Sequence, residues 1–284
     1  SILKSEEAKL EGSPFGKALD DYQNNKISSA LNELDKSKNS IESNEIFLKA
    51  NILFELKRYI EATKEFACGY KLNIAFYERD AERGFAAIRS TLAAIPEHLI
   101  TIADAKRGDI ENTTELYAQA FLDELNFDSI TVQPYMGQDS ARPFLRRKNK
   151  FVWMLALTSN YGANDFQFLK VENKPLWEVV VEKSLGWNDH KTGFVFGASH
   201  TKEIAKMTKN FPEVPLLIPG IGAQKGSLEK TINSLNHTLF VINQSRSIIY
   251  AAPKAETAEE FKTIVGEAAM KARDEINGFL MMKK

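Results

Sequence analysis

The chain is expected to fold as an α/β protein, a (β/α)8 TIM-type barrel, and three observations carry that expectation. After Cys68, seven short apolar runs alternate with longer stretches of helical pattern, the rhythm of parallel strands joined by crossover helices. Polar residues and glycines collect where each apolar run ends, the end at which such barrels build their sites. A length of 284 residues is enough for one large barrel or two small domains.

The elements follow in order. Residues 17 to 68 contain neither Gly nor Pro and are rich in Lys, Glu, Asn, Ser, Leu and Ala, so residues 1 to 51 are read as a helical amino-terminal segment and 52 to 284 as the barrel. The strings around Ala30 and Ala62 place apolar residues and alanine at helical spacing, 32 residues apart, somewhat like a tetratricopeptide repeat. Repeat arrays generally need three or more units, so a few amphipathic helices packed on the barrel are the preferred reading. Strands are expected at Gly69–Phe76, Leu99–Ala103, Ser129–Pro134, Phe151–Leu157, Gly193–Gly197, Val214–Pro219 and Leu239–Asn243. Helices are expected at Ala81–Ala94, Thr113–Leu125, Leu176–Leu185, Thr201–Asn210, Ser227–Leu235 and Ala258–Leu280. That leaves an eight-stranded barrel with its first strand unrecognisable.

Composition narrows the function classes. The 37 Lys and Arg nearly balance 38 Asp and Glu, so no global field draws the chain to nucleic acid or to an anionic membrane. No apolar stretch approaches the ~20 residues that span a bilayer, and no secretory leader is visible at Ser1–Glu7. A cytoplasmic location is the expectation. A single cysteine, Cys68, excludes an internal disulfide and any cysteine-cluster zinc site, and it is expected to be a small core residue. The four histidines lack metal-ligand spacing, so a metal site is not suggested.

Two regions carry chemistry. Asp104, Lys106 and Asp109 follow the run Leu99–Ala103, placing two carboxylates about one ammonium; burying such a set is costly unless the charges pair. The stretch Pro219-Gly220-Ile221-Gly222-Ala223-Gln224-Lys225-Gly226-Ser227 leads into a helix, and Ser245-Arg246-Ser247 follows the last strand. Free amides at a helix start and a guanidinium fork suit a phosphate, and barrels often bind phosphate after their last two strands.

With these residues in hand the chain resembles the orotidine 5'-phosphate decarboxylase family, in its longer bacterial form. The resemblance rests on Tyr70-Lys71-Leu72-Asn73-Ile74-Ala75-Phe76-Tyr77-Glu78, the Asp104 to Thr113 segment, Thr131 to Gly137, Leu157 to Asn160, Pro219 to Gly226 and Ser245 to Tyr250, in family order. It implies decarboxylation of orotidine 5'-phosphate to UMP without metal or cofactor. Lys106 would stabilise charge at C6 and protonate it, Asp104 would lie beside the departing carboxylate, and Lys71 would complete the array, with Asn73 also at the substrate. Asp109, with Thr113 nearby, would reach into the site of a twofold-related subunit, making the protein a homodimer. Ser159 would contact the pyrimidine, and Gln224, Arg246 and amides near Gly222 would hold the phosphate. The family's first strand, which ends in a ribose-binding aspartate, has no counterpart here. Two other readings follow from the residues: a magnesium-dependent phosphosugar enzyme sharing the D-x-K-x-x-D string, and a scaffold protein whose helical segment recruits partners while its barrel is impaired.

Overall fold

The structure is a computed structural model that describes residues 58–187, 192–221, 227–255 and 257–283. The helical segment expected over residues 1 to 51 lies outside them. A helical stretch over residues 58–63 leads to β1 (Gly69–Asn73), α1 (Ile74–Glu78), α2 (Ala81–Ala94) and β2 (Ile100–Arg107). There follow α3 (Glu111–Ala118), a π-helical turn over Gln119–Glu124, β3 (Ser129–Val132), α4 (Gln138–Leu145) and β4 (Phe151–Leu157). Next come α5 (Ala163–Phe166), the short β5 (Lys170–Val171) and β6 (Lys174–Pro175), α6 (Leu176–Leu185), β7 (Thr192–Phe196) and α7 (Thr201–Asn210). The chain closes with β8 (Leu216–Pro219), α8 (Leu228–Ser234), β9 (Phe240–Asn243), α9 (Arg246–Ile249) and α10 (Ala258–Met282).

Seven strands form one parallel sheet in the order β1-β2-β3-β4-β7-β8-β9. All seven expected strands are there, and among the described residues none pairs with the outer edges of β1 and β9. The sheet curls into a barrel. Ile102 of β2, Trp153 of β4, Val195 of β7 and Leu217 of β8 share one apolar cluster, a meeting that a flat sheet would forbid. Gly193 makes room for the largest of them, since a Cβ there would lie 2.7 Å from the Trp153 ring. The alternate residues, such as Leu72, Ile130, Met154, Phe194 and Leu216, face outward and pack with Ile88, Phe144, Val181 and Ile204 of the helices. This double-sided burial is why the strands read as near-continuous apolar runs.

Several local expectations need correction. Strand β1 stops at Asn73, and Ile74–Glu78 is helical; the run to Phe76 continues apolar because Ile74 and Tyr77 are buried on a helix. Strand β2 continues past Ala103 to Arg107, so the charged cluster lies on the strand itself, where ion pairing allows it. The expected helix Thr113–Leu125 begins at Glu111 and changes to π geometry after Ala118. Cys68 is exposed, because it ends the turn before β1, where its carbonyl accepts from Ile100 N–H at 3.2 Å. A two-residue β5–β6 hairpin was not foreseen; its Glu172 and Asn173 both adopt positive φ, 48° and 69°, as tight hairpins require.

Two helix ends bear on the site. Ser227 caps α8, its side chain accepting from Lys230 N–H. At the other end of α8, Lys283 Nζ donates to the carbonyls of Ile232 at 2.9 Å, Asn233 at 3.2 Å and Leu235.

Candidate active site at the carboxyl ends of the strands

The parallel register sets Asn73 beside Asp104, and Lys71 beside Ile102 one layer deeper. The long Lys71 side chain reaches up from that layer, and its Nζ lies 2.5 Å from Asp104 Oδ2. Lys106, two residues along β2, places its Nζ 2.5 Å from Asp104 Oδ1. One carboxylate is thus held between two ammonium groups. Side-chain exposure is 11% for Lys71, 12% for Asp104 and 49% for Lys106, so Lys106 is the cation presented to the open mouth. Burial pushes the Asp104 carboxyl up, but the charge and hydrogen bonds of Lys71 and Lys106 together outweigh it and hold the group below the usual aspartate range.

The geometry around this array is irregular. The β2–β3 register shifts between Ala103 and Arg107, and Lys106 has φ 50°, a left-handed conformation costing a side-chain-bearing residue about 1–2 kcal/mol. Thr131 of β3 accepts from Lys106 N–H at 2.9 Å and donates to Asp104 Oδ1 at 3.2 Å. On the outer side Arg107 pairs with Glu78, donates to Ala105 O at 2.9 Å and lies over the rings of Tyr117 and Phe121. Neither Thr131 nor Arg107 was singled out from sequence, because their parts depend on the register shift. Glu78, Arg107 and Thr131 did stand within the strings that carry the resemblance, the one signal available.

Asp109 is not brought to the array within the chain. Its Oδ1 accepts from Ile110 N–H at 2.8 Å, its N–H donates to Thr114 Oγ1 at 3.0 Å, and Thr114 Oγ1 donates back to its carbonyl at 2.8 Å. Thr114, not Thr113, fixes this turn; Thr113 is half-buried on the first turn of α3. Around Asp109 the strand-end segments leave apolar side chains in the open: Phe76, Ile110, Leu116, Tyr135 and Met136 are all exposed.

Ser159 follows β4 and is packed against Gly197, where a Cβ would lie 2.8 Å from the Ser159 Cβ. The preceding Thr158 is braced on several sides. Its N–H donates to Gln167 Oε1 at 2.8 Å, its hydroxyl accepts from Gln167 Nε2 at 2.9 Å, and its carbonyl lies 2.9 Å from His200 Nε2. Gln167 and His200 were also missed from sequence. Gly222 and Gln224 lie outside the described residues. Arg246 opens α9 after β9, exposed, with no ion pair among the described residues. No three His, Cys, Asp or Glu side chains converge as a metal cage among the described residues, and no described helix is long and apolar enough to cross a membrane.

The family model described as orotidine 5'-phosphate decarboxylase / HUMPS family matches residues 48–261.

The chain belongs to that family.

Relatives named orotidine 5'-phosphate decarboxylase bear this out. The protein from Dehalococcoides mccartyi strain CBDB1 is 46% identical over 231 residues, covering 78% of this chain and 84% of the relative. That from Christiangramia forsetii is 48% identical over 210 residues, covering 72% and 77%. Among solved structures, the Leishmania donovani OMP decarboxylase superposes with a TM-score of 0.74 at 35% identity, covering 82% of this chain and 89% of that one.

Proposed function

We propose that the protein decarboxylates orotidine 5'-phosphate to UMP, and that the Lys71–Asp104–Lys106 array, in a barrel of this family, is the observation that carries this. Decarboxylation breaks the bond between C6 and the carboxylate, CO2 departs, and the electron pair stays on C6. A fixed ammonium aimed at that carbon stabilises the charge as it develops, and the same group then delivers the proton. Lys106 is the cation exposed to the mouth and takes this part. Asp104 lies beside the departing carboxylate, and Lys71 with Asn73 borders the ribose side. Ser159 contacts the pyrimidine. Gln224, amides near Gly222 and Arg246 hold the phosphate, whose binding energy orients the ring at a distance from the bond that breaks.

Asp109 completes the site of a twofold partner. The reading is supported by its absence from its own chain's array and by the exposed apolar side chains around it, notably Leu116 and Tyr135, which pairing would cover. The magnesium-dependent reading finds no support in the donor set, because both oxygens of Asp104 already face ammonium groups. With its one thiol unpaired, the protein suits a reducing compartment, and we place the activity in the cytoplasm.

The test is the loss of ultraviolet absorbance of orotidine 5'-phosphate in the presence of a chelator, with Lys106→Ala as control. Turnover by the parent alone is expected; equal turnover by both proteins would sink the mechanism. For the shared site, dissociated and remixed Lys106→Ala and Asp109→Ala proteins should recover about a quarter of parental activity, since random pairing restores one intact site in half of the dimers. No recovery from confirmed heterodimers would remove Asp109 from the shared site.

A further inference from the structure

The array depends on an irregularity that composition does not announce. Between the pairs Ala103↔Ile130 and Arg107↔Val132, β2 carries Asp104, Ala105 and Lys106 where β3 carries only Thr131. A bulge of this kind leaves backbone groups without their usual ladder partners and re-aims the side chains it contains. A buried N–H in that position must find another acceptor.

Thr131 supplies it. The residue is 1% exposed, and its Oγ1 accepts the Lys106 N–H at 2.9 Å while donating to Asp104 Oδ1 at 3.2 Å. A hydroxyl has one proton and two lone pairs, so it can make both bonds at once. It therefore ties the backbone of the cationic residue to the side chain of the anionic one. The lysine arm alone could not do this, since an ammonium on four methylenes meets a carboxylate from many backbone positions.

We infer that Thr131 is a positioning residue for the decarboxylation proposed above, on which this inference rests. Its hydroxyl stands in for the missing rung of the β2–β3 ladder and fixes Lys106 and Asp104 at one separation. It does not touch the substrate; it acts through Lys106. Valine fills nearly the same space without the hydrogen bonds, whereas serine keeps them, so the pair separates hydroxyl from volume.

The experiment compares Thr131→Val, Thr131→Ser, Lys106→Ala and the parent, all well below their melting temperatures and normalised to folded protein. Two quantities are read: steady-state kinetics, and hydrogen exchange of the amide of Lys106. Thr131→Val is expected to lose about ten- to a hundredfold in kcat, the scale of a small misplacement of a catalytic group, with KM little changed. Its Lys106 amide should exchange faster, and Thr131→Ser should recover most of both. Parental kcat in Thr131→Val, parental exchange, or equal damage in Thr131→Ser would each overturn the role. Thr131→Ala, which also removes the hydroxyl, gives the same test should the valine protein not fold. If Lys106→Ala keeps its turnover, the proposed mechanism fails, and the exchange comparison still decides the hydroxyl's part.

Discussion

Across the mouth of the barrel, β1 to β3 present side chains that already hold one another, whereas β8 and β9 lead to a cation with no ion pair among the described residues. On the first side Asp104 lies between Lys71 and Lys106 at 2.5 Å each, with Thr131 bonded to it from the next strand. On the second, Arg246 is exposed and without an ion pair among the described residues. Under the proposed function, the difference matches what each side would be asked to do. Groups that meet charge only in the transition state gain most from being fixed beforehand, while a group that meets a permanent phosphate dianion can take its place when the ligand arrives.

That comparison can be broken at its strongest point by Asp104→Asn. Removing the anion leaves the buried Lys71 ammonium unpaired beside the exposed Lys106, a loss approaching the ~3–5 kcal/mol of a broken buried pair. Turnover should fall by about two to three powers of ten, and a near-parental kcat would show that the array is not prefixed for chemistry. Arg246→Ala should act on the other quantity. Losing a charge-assisted hydrogen bond worth roughly 1.5–3 kcal/mol should raise KM by about one to two powers of ten, with kcat less affected. An unchanged KM would take Arg246 out of the phosphate site.

Smaller effects sharpen the contrast. Gly197→Ala puts a Cβ 2.8 Å from the Ser159 Cβ, so the Ser159 segment must shift; a loss of about tenfold in kcat/KM is expected, and parental kinetics would argue against the proposed contact of Ser159 with the ring. Acid should act on the prefixed side. The folded Asp104 carboxyl titrates below its usual range, so the stability it contributes is complete above about pH 4 and disappears as pH falls through the lower folded value. Denaturation midpoints measured from neutral pH down to that window should decline, and the decline should be shallower in Asp104→Asn. Equal slopes would mean that Asp104 is not the linked group.

Much of this was legible in the residues. All seven strands sit where the apolar runs lie, because strands buried on both faces leave an unbroken hydrophobic signature. The charges of Asp104 and Lys106 were expected just past the strand end and in fact lie on β2 itself, and the Lys71 string supplied the second cation. What sequence does not carry is register. Thr131 matters because β2 runs ahead of β3 at that point, and a threonine on an apolar strand looks like any other. Helix α4 was missed for a different reason: it is short, begins with Gln138 and Asp139 and contains Pro143, all signs of a break. The π turn after Ala118 likewise leaves the apolar pattern almost unchanged while altering which hydrogen bonds form.

The cap that Lys283 places on α8 has a structural consequence. Lys283, beyond the end of α10, closes the carboxyl end of α8. Replacing Lys283 by alanine would therefore uncover three carbonyls far away along the sequence. One lysine far along the chain thus stands in for the next turn of a seven-residue helix, tying α10 to the segment that leads into β9.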